Sequence, residues 1–226
     1  MWRKYILMNN VNAVPRVINE KALINNYTLE KKLPGDLAMW FFILAELSVF
    51  AIFFVGFAVA EHLQTDLFAQ SKAQVHPIAG LINTLALITS SFAVALSLQA
   101  MHHNKAKLAV KRIIYALFLA CIYLVVKVWE YQTLFSLGFD IETNTFFTLY
   151  FLITFFHLMH VLLGMVILIY LAKNTAQGNY DQTVKKNEAP ITRDSKNTMV
   201  GFESGACYWH MVDMLWIVLF PLVYVI

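Results

Sequence analysis

Five stretches of this chain are long and apolar enough to cross a membrane, and that constrains its fold more than any motif does. Residues 38–60, 78–101, 113–135, 145–171 and 203–226 are each a nearly unbroken apolar run. At ~1.5 Å of rise per residue, each reaches across a ~30 Å hydrocarbon core as an α-helix. The runs lack the alternation of barrel strands, and lipid offers nothing to an unpaired backbone amide, so helices are the spanning form expected. The chain is 59% hydrophobic and 14% charged over 226 residues, more apolar surface than one soluble core of this size can hide. The expected fold is therefore an all-α integral membrane protein, a five-transmembrane-helix bundle, with residues 1–37 as an N-terminal segment and 38–226 as the membrane domain. Pro34-Gly35-Asp36, Pro77 and the polar turn at 140–144 punctuate the spans.

Charge orients the bundle. Arg3, Lys4, Arg16, Lys21, Lys31 and Lys32 precede the first span, and Lys105, Lys107, Lys111 and Arg112 lie around the second connection. Lys173, Lys185, Lys186, Arg193 and Lys196 occupy the fourth. Fifteen of the 17 basic residues thus fall on one side; of the other two, Lys72 lies opposite and Lys127 inside a span. The positive-inside rule puts the N-terminus in the cytoplasm and, after five crossings, the C-terminus outside. A net charge of +3, dispersed over loops, gives no nucleic-acid surface. The start of the chain lacks an h-region and a small-residue cleavage site, so it is expected to be retained. The connection at 172–202, polar and containing Gly178 and Pro190, is expected to be a mobile loop. Cys121 and Cys207 have no metal or redox spacing and read as small buried hydrophobes.

Ionisable groups at membrane depth need a partner or a purpose. By helical rise, Glu46 in the first span, His160 in the fourth, and His210 with Asp213 in the fifth fall at similar depth, in the cytoplasmic half. His157 lies one turn from His160. Such a layer serves either as a hydrogen-bonded network fixing helix packing or as a proton-conducting or regulatory element; haem or metal ligation is the third reading. No HxxxH or ExxH pairing with a second carboxylate-bearing helix completes a di-iron set, so no metal is expected. Lys127 and Glu130, three residues apart in the third span, are spaced to neutralise one another as an intramembrane ion pair. In the second span, Asn83, Ala86, Ser90, Ala93, Ser97 and Ala100 draw a small-residue seam that lets a neighbouring backbone approach closely.

Several segments resemble a known family. Phe202-Glu203, the run Tyr208-Trp209-His210-Met211-Val212-Asp213, and Trp216 are similar to the signature of subunit III of the haem-copper oxidases. Phe156-His157-Leu158-Met159-His160-Val161 with Gly164 resembles the family's histidine helix, Trp129-Glu130-Tyr131 its glutamate helix, and Ile43-Leu44-Ala45-Glu46-Leu47-Ser48 the helix carrying its buried carboxylate. The resemblance implies an accessory subunit with no redox centre of its own, packed beside a catalytic subunit that holds haem and copper or iron. It implies structural phospholipid bound between the helices, and support for proton uptake and for resistance to turnover inactivation. Glu46 matches the carboxylate associated with carbodiimide reactivity; Glu130, His157, His160, Glu203, His210 and Asp213 match the other polar positions, while Lys127 stands where the family has a neutral polar residue. Five spans instead of seven resemble the forms found in quinol oxidases and in subunit III-like proteins associated with nitric oxide reductase, and the approach Pro34-Gly35-Asp36-Leu37-Ala38-Met39-Trp40 looks most like the latter. Partners implied are the catalytic subunit of an oxidase or nitric oxide reductase and membrane lipid, in a bacterial inner (plasma) membrane. A free-standing proton or ion carrier and a transient oxidase assembly factor are the alternatives.

Overall fold

A computed structural model describes residues 37–177 and 193–225, with side chains in the second stretch from residue 199 onward. The N-terminal segment, apart from residue 37, and the middle of the 172–202 connection lie outside the described residues. Among the described residues six helices follow one another: α1 Leu37–Leu63, α2 Thr65–Lys72, α3 Pro77–His102, α4 Ala106–Ser136, α5 Thr145–Ala176 and α6 Arg193–Tyr224. Among the described residues there is no strand. All but α2 contain a segment long and apolar enough to cross a membrane, that of α6 being Met199–Tyr224.

Local chemistry sets the helix ends. Pro77 occupies the first turn of α3, where its missing N–H costs nothing. α4 closes with Gly138 at φ 83, and Phe139 N–H reaches Leu134 O at 3.0 Å while Gly138 N–H reaches Phe135 O at 3.1 Å. That doubly bonded stop needs a left-handed residue, which glycine supplies without strain. Asn144 caps α5, its Oδ1 accepting from Phe147 N–H at 3.0 Å.

Several boundaries differ from the sequence expectation, mostly toward longer helices, although α6 ends at Tyr224 and not at 226. α4 starts at Ala106, so Lys107, Lys111 and Arg112 ride on helix, and the Arg112 guanidinium donates to Leu96 O on α3. α5 continues to Ala176 and α6 begins at Arg193, so both ends of the supposed loop are helical. Hydropathy marks only the part of a helix inside lipid, not its polar extensions. α2 was not expected either. It is short and polar, but Phe68 is buried against Phe57 and Phe146, each with ring centroids 5.3 Å away, and Lys72 meets Glu61 of α1.

α3 and α4 form an antiparallel hairpin along the small-residue seam, of which Asn83, Ala86, Ser90, Ala93, Ser97 and Ala100 are all buried. Ser90 Oγ donates to Ala116 O at 2.9 Å and Ser97 Oγ to Ala109 O at 3.2 Å. The side chains thus bond directly to the facing backbone, which only small residues allow. α6 is central and packs on α3, α5 and α1. Gly164 lets α5 and α6 close up: a Cβ there would stand 2.8 Å from the Trp209 ring. α1 is peripheral, its buried residues Ile43, Phe50 and Phe57 forming one stripe at seven-residue spacing. The outer flank of α1, including Phe41 and Ile52, presents bare apolar surface, which is natural only against lipid or another membrane helix. Cys121 also faces outward and Cys207 is only partly covered, correcting the expectation that both are buried. A helix apolar all round does not reveal from sequence which face meets the core.

Candidate functional site

The polar residues inside the bundle sort into separate groups. The first joins α1 to α5. His160 Nε2 lies 2.9 Å from Glu46 Oε2, and its Nδ1 lies 2.8 Å from Phe156 O. A carbonyl only accepts, so Nδ1 carries a hydrogen. The contact with Glu46 then holds one further proton, on the imidazole or on the carboxyl, and the pair is electrically neutral in either form. Phe50 and Phe156 pack against the imidazole, with centroids 5.4 and 4.8 Å away, and Tyr208 Oη donates to His160 O from α6 at 3.2 Å. Glu46 retains about a fifth of its side-chain exposure, on the open flank of α1.

The second group links α3 and α6. Ser91 Oγ and His210 Nδ1 are 2.6 Å apart, and Asp213 is buried one turn further along α6. Among the described residues, no hydrogen bond joins this group to Glu46 or His160. The expected common layer is therefore two pairs, each tying a different helix to its neighbour.

The third group is fully buried and closed. Lys127 Nζ donates to Glu130 Oε2 at 2.9 Å, to Tyr150 Oη at 3.0 Å and to Tyr224 Oη at 2.9 Å. Tyr224 Oη donates in turn to Glu130, 2.8 and 2.9 Å from its two oxygens. Rings surround the ammonium, Tyr150 at 4.7 Å and Trp216 at 5.6 Å from Nζ to centroid. The charges cancel, and α4, α5 and α6 each contribute to this box. Beside it Tyr131 Oη and Thr154 Oγ1 lie 2.8 Å apart.

Two further expected residues remain to be placed. Glu203 approaches the half-exposed His102 at 3.9 Å, too long for a strong pair. His157 is fully buried between Tyr123 and Trp216, its centroid 6.0 and 5.2 Å from theirs, and neither ring nitrogen has a hydrogen-bond partner among the described residues. Among those residues no three His, Cys, Asp or Glu side chains converge on a point where a metal ion could sit. The sequence reading missed Ser91, Tyr150 and Tyr224 as polar partners. Tyr150 lies seven residues before His157 and so shares its helix face, a signal available in the sequence; Tyr224 carries no such mark.

Comparison with known proteins gives a consistent picture. The sequence profile of the family described as Cytochrome c oxidase subunit III matches residues 5–226. A "Heme-copper oxidase subunit I+III" of Aeropyrum pernix is 27% identical over 84% of this chain, and the match spans only 22% of that much longer protein. A "Cytochrome c oxidase subunit 3" of Triticum aestivum is 30% identical, covering 92% of this chain and 74% of the relative. A "Probable quinol oxidase subunit 3" of Staphylococcus saprophyticus is 27% identical, covering 85% and 89% respectively.

Proposed function

Because this chain belongs to the cytochrome c oxidase subunit III family, we propose that it is a non-catalytic accessory subunit of a haem-copper respiratory complex, packed beside a catalytic subunit that holds the haem and metal. The observation that carries this reading is the family match over almost the whole chain. The relative whose name joins subunits I and III in one polypeptide supports direct adjacency to a catalytic subunit. The work of the chain is mechanical and electrostatic. The neutral Glu46–His160 pair fastens the peripheral α1 to α5 without placing net charge beside lipid, and structural phospholipid covers the bare apolar surface of α1.

The orientation follows from charge: Lys105, Lys107, Lys111, Arg112 and Lys173 lie at the connections assigned to the cytoplasm. Lys72, the basic loop residue on the opposite side, is paired with Glu61, which sharpens the asymmetry. A bacterial plasma membrane, N-terminus inside, is the setting proposed. Within the family, five spans suit a quinol oxidase or a nitric oxide reductase alike, and the Pro34-Gly35-Asp36 approach favours the nitric-oxide-reductase-associated branch; consumption of nitric oxide in place of oxygen by the purified complex is the test of that finer assignment.

The central experiment is Glu46→Ala in the whole complex. Haem content is expected to stay unchanged, while sustained turnover or retention of this chain falls. Loss of haem in step with the substitution would overturn the accessory reading. Purification in mild detergent separates the rivals. A stoichiometric haem-bearing companion excludes both a free carrier and a transient assembly factor; a transport-active homo-oligomer favours the carrier.

A further inference from the structure

Beside Trp209 Nε1 and Asp213 Oδ1 on α6, three completely buried side chains from three other helices have polar atoms that nothing in the described protein satisfies: both ends of the Asn83 amide, the Tyr123 hydroxyl and both nitrogens of His157. They belong together. In the antiparallel α3–α4 packing, Ser90 bonds to Ala116 and Ser97 to Ala109, so each step forward on α3 matches an equal step back on α4. Continuing that register two turns from Ser90 sets Asn83 opposite Tyr123. Tyr123 packs on His157 and on Trp216, its centroid 6.0 and 5.1 Å from theirs, and His157 and Trp216 are 5.2 Å apart. Thr84, adjacent to Asn83, accepts from Trp216 Nε1 at 2.9 Å. The three rings thus pack on one another, and the register brings the Asn83 amide to the same level of the bundle, where α3, α4, α5 and α6 come together.

We infer that this place is an internal hydration site, holding at least one ordered water between Asn83, Tyr123 and His157. Lipid cannot reach it, and buried polar groups left without any partner are rare because water or protein normally satisfies them. The neighbouring groups are already engaged: Lys127, Glu130, Tyr150 and Tyr224 satisfy one another, and the Trp216 N–H is spent on Thr84. The free atoms include donors and acceptors together, since an amide and a neutral imidazole each offer both, and a hydroxyl does too. A cation would answer only the acceptors and an anion only the donors. Water answers both. The site goes beyond the accessory role proposed above and does not depend on it.

Solid-state NMR on the full chain in its purified membrane assembly, with 15N-labelled histidine, tests this. Polarisation started on water should pass to the His157 ring nitrogens, and the resonance should vanish in His157→Leu, which assigns it. His102, half exposed, serves as the positive control. A His102 signal without a His157 signal would overturn the inference. A density map of the same assembly at a resolution that shows ordered water gives an independent reading on the unmodified chain. A water peak within hydrogen-bond reach of two of the three side chains sustains the site; side chains rotated to bond one another directly would refute it.

Discussion

The Lys127–Glu130 box shows how a full charge is kept at membrane depth. Removing one member strands the other: Lys127→Met leaves Glu130 buried with only the Tyr224 hydroxyl to answer it, and stability should fall by about 3–5 kcal/mol. The double substitution Lys127→Met with Glu130→Gln removes both charges and should recover most of that loss. Thermal unfolding of these two variants and the unsubstituted protein in one detergent checks both outcomes. The spacing of Lys127 and Glu130 already announced the pair in the sequence, because both lie on one helix face. Tyr150 and Tyr224 did not show themselves, since their part depends on the register of α5 and α6 against α4, which no local pattern encodes. For the same reason Glu46 and His160 could be set at similar depth from helical rise alone, but not distinguished from His210, which instead meets Ser91.

At the level of helices, the seam on α3 works through hydroxyls donated to the backbone of α4. Ser90→Ala and Ser97→Ala should each cost only ~0.6 kcal/mol, because alanine keeps the close approach; Ser90→Leu should separate the helices and cost several times more. Gly164→Ala is a sharper probe of α5 against α6, since its methyl would collide with the rigid, buried Trp209 ring. A loss of roughly 1–3 kcal/mol is expected, read as a lower midpoint of thermal dissociation. The five long helices were visible in hydropathy and the seam in its small-residue spacing. α2 and the polar extensions of α4, α5 and α6 were not, because they lie where hydropathy falls silent. α2 is held by Phe68, wedged between Phe57 and Phe146, and by the Lys72–Glu61 pair.

At the level of the molecule, the orientation proposed from charge makes a direct prediction. With Cys121 and Cys207 replaced by serine, a cysteine at Lys173 should react with a membrane-impermeant maleimide only after the membrane is opened, and one at Asp140 should react in intact cells. The reverse pattern would invert the topology. Family membership was legible from a few clustered residues, above all Tyr208-Trp209-His210 and Asp213. The loose attachment of α1 was not, because its mean hydropathy equals that of the better-buried α5.

The box also bears on how the protein is made. α4 and α5 leave the ribosome well before α6, so for a time Lys127 and Glu130 are in place without the Tyr224 hydroxyl that later bridges them. An insertion intermediate halted at that stage carries an under-solvated ion pair in its interior, an internal mark by which a cell's quality control could tell an unfinished copy from a completed one.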